Sequence, residues 1–287
     1  MFGRISNTWQ LMGDSWSLLK QEKQLLLFPV LSAICCIIVI ASFAIPMFAN
    51  ESYLPPQPGE EGGAVSTGEQ VMYYGKLFLL YFCNYFVIIF FNSAIVGCAA
   101  MRFGGQDPTL ADGFRISFAR LPLIVGWAVV AATVGLILRV IEDKNEKIGR
   151  FIAGLLGMAW TAISFLVLPV LVIEKKDPFT ALKESAVMLK RTWGEQLVCN
   201  FSFGFMFFLL FLPGLLLIFA GATIIGAGNV VLGAALIVLA ILSSVIVALV
   251  QSTLQVIFQT ALYYYARHNT APAGFDNASL GGAMYQR

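Results

Sequence analysis

Charge is what this sequence has least of. Asp, Glu, Lys and Arg make up 12% of the chain, against 59% hydrophobic residues, where soluble domains carry about 25% and about 45–50%. Half the usual charge cannot cover a 287-residue globule with water-compatible groups, so much of the surface must meet lipid. No polar stretch is long enough to build a separate soluble domain, and residues 1–287 read as a single polytopic membrane domain. A net charge of +2 gives no case for nucleic-acid binding.

Reactive patterns are missing too. Cys35, Cys36, Cys83, Cys98 and Cys199 all fall in apolar runs, with no CxxC or zinc-ligand spacing, and His268 has no His or Cys near it in sequence. They read as buried membrane thiols and an isolated imidazole. There is no GxSxG elbow, no HExxH and no GxxxxGK[ST] loop. Asp107, Asp112, Asp177 and Glu184 could be imagined as ligands, yet two of them precede prolines in cap positions. The sequence therefore implies no catalytic, cofactor-binding or metal site, no cofactor, and a protein that is not an enzyme. A cleavable leader is also not evident, because the first apolar run is longer than an h-region and reads as a retained span.

What remains is long apolar runs. A helix needs about 20 apolar residues to cross a hydrocarbon core of about 30 Å. Six stretches qualify: Leu25–Ala49, Met72–Met101, Leu121–Ile141, Phe151–Ile173, Leu197–Ile225 and Val230–Tyr265. The runs are unbroken rather than alternating, and open sheet in lipid would strand its backbone groups, which excludes strands. Pro213 is expected to kink or break the fifth run. The sixth overshoots the bilayer, and its Gln251, Gln255 and Gln259 point to an exit along a glutamine face.

Basic residues set the orientation. Of the 18 Lys and Arg, thirteen fall on the side holding both termini, the 102–120 and 174–196 segments and the tail at 266–287. That predicts cytoplasmic termini. The 50–71 loop, acidic and rich in Pro and Gly, suits the exterior.

Short amphipathic helices recur on the cytoplasmic side. Phe2, Ile5, Trp9, Met12, Trp16 and Leu19 form one stripe at steps of three and four, as for a helix lying in the membrane interface. Asp107-Pro108 and Asp177-Pro178 each offer a cap acceptor and a first-turn proline. Leu110, Phe114, Phe118 and Leu121 follow the first; Phe179, Leu182, Ala186, Leu189 and Trp193 follow the second. Lys20, Arg120 and Lys190 take corresponding places near the helix ends. The chain thus reads as three repeats of an interfacial helix plus a helical hairpin.

Ionisable groups are nearly absent from the spans. Arg139 lies near a span end with Glu142 and Asp143 within reach. Neutral polar groups are more plentiful: Asn84, Asn92, Ser93, Thr161, Ser164, Asn200, Ser202, Ser244 and the three glutamines. Hydrogen bonding between helices is the plain reading, and a polar lumen for a substrate the alternative. Ser93 with Gly97, and Ala153 with Gly157, favour close packing.

The run Ser15-Trp16-Ser17-Leu18-Leu19-Lys20-Gln21-Glu22-Lys23-Gln24-Leu25-Leu26-Leu27-Phe28-Pro29 resembles the opening of a family of uncharacterised six-span prokaryotic integral membrane proteins. Thr260-Ala261-Leu262-Tyr263-Tyr264-Tyr265-Ala266, with Gly274-Phe275-Asp276, is similar to its ending. Asp177-Pro178 with Ala181-Leu182 and Trp193-Gly194 resembles the membrane domain attached to some glycerophosphodiester phosphodiesterases. The resemblance implies an all-α membrane fold in the prokaryotic plasma membrane. It carries over no catalytic residue, because the phosphodiesterase activity belongs to a soluble domain missing from this sequence. The expected function is that of a non-enzymatic component interacting with membrane lipids, with another membrane protein or with itself. The alternative is a small transporter, channel or lipid translocator using polar faces of spans 2, 5 and 6.

Overall fold

A computed structural model describes residues 2–49, 67–144, 148–191, 193–276 and 280. The 50–71 loop, apart from its last residues, lies outside them. Among the described residues the chain is 89% helical, without strands. The α-helices are α1 (Phe2–Gln21), α2 (Leu27–Ala49), α3 (Thr67–Phe103), α4 (Leu110–Ala119), α5 (Leu121–Lys144), α6 (Ile148–Ser164), α7 (Val167–Ile173), α8 (Pro178–Arg191), α9 (Trp193–Gly226) and α10 (Val230–His268), with a 3-10 turn at Lys23–Leu26. Six helical stretches are long and apolar enough to cross a membrane: Lys23–Pro46, Gln70–Phe103, Leu121–Asp143, Ile148–Ile173, Phe207–Gly226 and Val230–His268. This is a multi-pass membrane architecture.

The chain forms two compact units. One comprises Met1–Pro29, Cys98–Thr109 and Val187–Arg287; the other comprises Val30–Gly97 and Leu110–Ala186.

In the first unit, α9 and α10 make a hairpin closed by Gly228, at φ +94°, and by Asn229, whose side chain accepts the Leu232 N–H at 3.2 Å. The two helices meet through glycines. A Cβ on Gly221 would stand 2.8 Å from the Gly233 carbonyl, and one on Gly233 would stand 2.5 Å from the Gly221 carbonyl. Pro213 does not break α9, which runs continuously through it. A proline removes only one backbone donor, and helices in lipid tolerate that loss. Large exposed apolar side chains on α10 stop at Ile246. Beyond it Thr253, Leu254, Val256, Ile257, Phe258 and Thr260–Tyr263 are buried, and α1 packs against α10. At 1.5 Å per residue, Val230 to Gln251 spans about 31 Å, one hydrocarbon thickness. The glutamines therefore begin where a bilayer would end.

In the second unit, the α5–α6 hairpin stacks Trp127 on Trp160 at 5.5 Å. Phe78, Phe82, Phe86 and Phe90 form a ladder along α3, and Phe118 of α4 meets Phe90 edge-on at 5.1 Å. Gly97 lets α4 approach, since a Cβ there would lie 2.7 Å from Ile116. The fourth span is not one helix. It breaks between α6 and α7, shortly before Pro169, which cannot continue the ladder.

Candidate functional site

A lumen would have to be built from the polar groups of the spans. Ser93 donates to the Ile89 carbonyl at 2.7 Å, Thr161 to Gly157 at 2.9 Å and Ser164 to Trp160 at 2.7 Å. Thr253 donates to Leu249 at 3.0 Å, Thr260 to Val256 at 2.7 Å and the Asn84 amide to Leu80 at 2.9 Å. Each closes on its own helix four residues back, a pattern open to Ser and Thr even in lipid. For Ser93, Thr161, Ser164 and Asn84 this differs from the bonding between helices expected of them. Asn92 is half-buried, as are Gln251 and Gln259, and Gln255 is exposed. Ser244 lies against Gly214, where a Cβ would come within 2.7 Å of its hydroxyl. The side chains of Cys199, Asn200, Ser202 and Trp193 lie outside the described residues. Arg139 pairs with Glu142 at 3.4 Å and Asp143 at 3.3 Å, as its spacing predicts.

Among the described residues, the serines of the short helices do make bonds that join elements. Ser117 of α4 donates to the Phe90 carbonyl of α3 at 2.9 Å. Ser185 of α8 accepts the Leu166 N–H at 3.1 Å and donates to the Ile163 carbonyl at 2.5 Å, closing both sides of the α6–α7 break. Each short helix buries a residue and then a serine four positions on: Leu11 and Ser15, Gly113 and Ser117, Ala181 and Ser185. This register revises the expected Asp-Pro repeat. Asp177 does cap α8, accepting the Thr180 N–H at 3.0 Å, and the Thr180 side chain and N–H hold its carboxyl below the usual range. Asp107 caps nothing of the kind: α4 starts only at Leu110, and the carboxylate pairs with Arg102. The cations diverge as well. Lys20 stands 5.6 Å above the Trp16 ring, while Arg120 donates to the Val172 carbonyl of α7 at 3.2 Å.

Sequence reasoning missed a second feature, a cleft of about 370 Å³ in the first unit. Asp14, Ser17, Leu18, Gln21, Arg102, Gly105, Ala273 and Gly274 line it. Arg102, in the last turn of α3, donates to Gln21 Oε1 at 2.6 Å, pairs with Asp107 and lies 3.6 Å from Glu22. The Gln24 amide donates to the Pro108 carbonyl. Burial pushes the Asp14 carboxyl up; the Asp276 backbone N–H partly offsets this, and the Asp276 charge adds to it. The closing motif docks here: Gly274 turns at φ +90°, and the Phe275 ring meets Phe103 at 5.7 Å. Among the described lining residues Arg102 is the one cation, and its pairing with Asp107 and Glu22 makes this a structural knot rather than an anion site. The only sequence signal was an arginine at a helix end with an acid five residues on. Cys35, Cys36, Cys83 and Cys98 are free thiols, and His268 stacks on Tyr264 at 5.0 Å. Among the described residues, no three His, Cys, Asp or Glu side chains gather as a metal site would require.

The outward faces of the short helices are different in kind. Phe118 is 61% exposed and Phe179 is 71% exposed, each three or four residues from an exposed Arg115 or Lys183.

Residues 71–275, more than two thirds of the chain, match a family described as "Family of unknown function (DUF6159)". The match runs from the start of the second span to Phe275 and so includes Arg102, Asp107, Ser117 and Ser185. Nothing in it links the chain to glycerophosphodiester phosphodiesterase membrane domains. No curated protein matches the chain.

Proposed function

Because the chain belongs to DUF6159, a family of unknown function, we propose a role argued from its own residues: a non-enzymatic membrane component that interacts with lipid or with a partner membrane protein. The observation that carries this reading is the contrast between inside and edge. Among the described residues, the hydroxyls of Ser93, Thr161, Ser164, Thr253 and Thr260 close on their own helices, which argues against a chain of free polar groups for a solute. The short helices, in contrast, present aromatic and basic side chains outward. In this reading α1, α4, α8 and both termini face the cytoplasm of a prokaryotic cell, as the thirteen basic residues on that side favour.

The test is reconstitution. Purified protein should gain thermal stability when phospholipid is added back to delipidated detergent, and vesicles containing it should stay tight to ions and small solutes. Protein-dependent leakage without lipid-dependent stability would overturn the reading. One observation favours a second reading, a small transporter or channel: the exposed amide of Gln255 between the half-buried Gln251 and Gln259. Leakage abolished by changing all three to Leu in a still-folded protein would select it.

A further inference from the structure

α4 and α8 are two-sided. On α4, Gly113 and Ser117 are buried while Ala111, Arg115, Phe118 and Ala119 are exposed. On α8, Ala181 and Ser185 are buried while Phe179 and Lys183 are exposed. The described part of α1 follows the same plan: Leu11, Ser15 and Leu19 are buried, and Trp16 and Lys20 face out. In each helix the outward aromatic and the outward cation stand three or four residues apart, hence on one face. Arg115 is tied to Asp112 at 2.9 Å yet keeps 76% of its side chain exposed.

Chain geometry fixes where these faces lie. One residue separates α4 from the span that starts at Leu121, α1 ends two residues before the span that starts at Lys23, and α8 starts five residues after the span that ends at Ile173. Helices tethered this closely to a span sit at its mouth, where headgroups meet the acyl chains. An exposed Phe or Trp belongs at that boundary, and a Lys or Arg beside it reaches phosphate. Zwitterionic surfaces give such a cation little net attraction; anionic ones favour it by about fivefold per Lys or Arg.

We infer that the outward faces of α1 (Trp16, Lys20), α4 (Arg115, Phe118) and α8 (Phe179, Lys183) are three equivalent sites for anionic phospholipid headgroups. The inference rests on the lipid-interacting reading above and names its lipid class.

The experiment is native mass spectrometry of the full-length protein in detergent, titrated with phosphatidylglycerol or phosphatidylcholine. The wild type should retain up to three phosphatidylglycerol molecules in preference to phosphatidylcholine, with inorganic phosphate failing to displace them. Lys183→Gln alone should remove one, and Lys20→Gln with Arg115→Gln and Lys183→Gln should abolish the preference. The charge-keeping triple, Lys20→Arg, Arg115→Lys and Lys183→Arg, should retain it, which guards against a folding defect in the first triple. Equal retention of the two lipids by the wild type, or a preference surviving the Gln triple, would overturn the inference. Stabilisation by phosphatidylcholine alone would then still leave the broader reading standing.

Discussion

Ser185 holds the fourth span together at its weakest point: its hydroxyl accepts the Leu166 N–H at 3.1 Å across the α6–α7 break. The same oxygen donates to the Ile163 carbonyl, so one side chain of α8 satisfies backbone groups on both sides of the interruption. Both Ser185 and Leu166 are buried, and no water could replace the bond cheaply.

Ser185→Val should therefore strand a buried amide, at a cost of about 1–3 kcal/mol. Pro169→Leu restores the missing donor and lets the span close as one helix, so the double variant should lose less than Ser185→Val alone. Chemical denaturation in mixed micelles reads both. Equal losses for the single and the double variant would mean that the serine does not act through the break.

The α9–α10 seam gives a contrast between two glycines. Gly233→Leu forces a side chain onto the Gly221 carbonyl and should destabilise by about 1–3 kcal/mol or more through overpacking. Gly154→Ala meets open space inside α6 and should be neutral or stabilising by about 0.5–1 kcal/mol. Melting temperatures of the two variants, measured side by side, check the sign of each.

Asp14 predicts a pH dependence with a definite sign. Its carboxyl is raised above the ordinary 3.8, mainly by burial, so the folded state favours the protonated form. Its contribution to stability is fully present below 3.8 and is lost as pH rises through the higher folded value. Asp14→Asn keeps an acceptor for the Asp276 N–H without a charge to bury. The variant should melt higher than wild type at neutral pH, and the gap should close in acid. A gap that widens in acid would contradict the assignment.

Much of the fold was legible because its causes are local. Run length fixes the spans, and Arg139 with Glu142 and Asp143 pairs as its spacing requires. The differences arise where a partner outside the repeating pattern decides. Asp107 matches Asp177 in sequence, but the Arg102 guanidinium takes its carboxylate, and α4 begins later than the Asp-Pro pattern implies. The serine register marks the repeat better, yet Ser117 and Ser185 look like ordinary helix residues until Phe90 and Leu166 are placed beside them. The Asp14 cleft depends on a tail and a helix far apart in sequence, which no periodicity could reveal.

Orientation is checked by single cysteines in a thiol-free background. Cysteine at Asn145 should react with an impermeant maleimide added outside intact cells, and cysteine at Ala111 or Thr270 only after permeabilisation. Ala111 is exposed and therefore a fair reporter, whereas the nearby Ser117 is fully buried. The reverse pattern would invert the topology.

The contrast between closed spans and an interacting edge is tested most directly by thiol scanning in reconstituted vesicles. Cysteines at Asn84, Ser93, Thr161 and Ser164 are compared with cysteine at Ala111 for reaction with a charged thiosulfonate, which attacks only thiols in water. Cysteine at Ala111 should react rapidly, and none of the four span positions should react from either side of the membrane. Fast reaction at Asn84 and Ser93, which lie two and a half turns apart on α3, would reveal a water-filled path and contradict it.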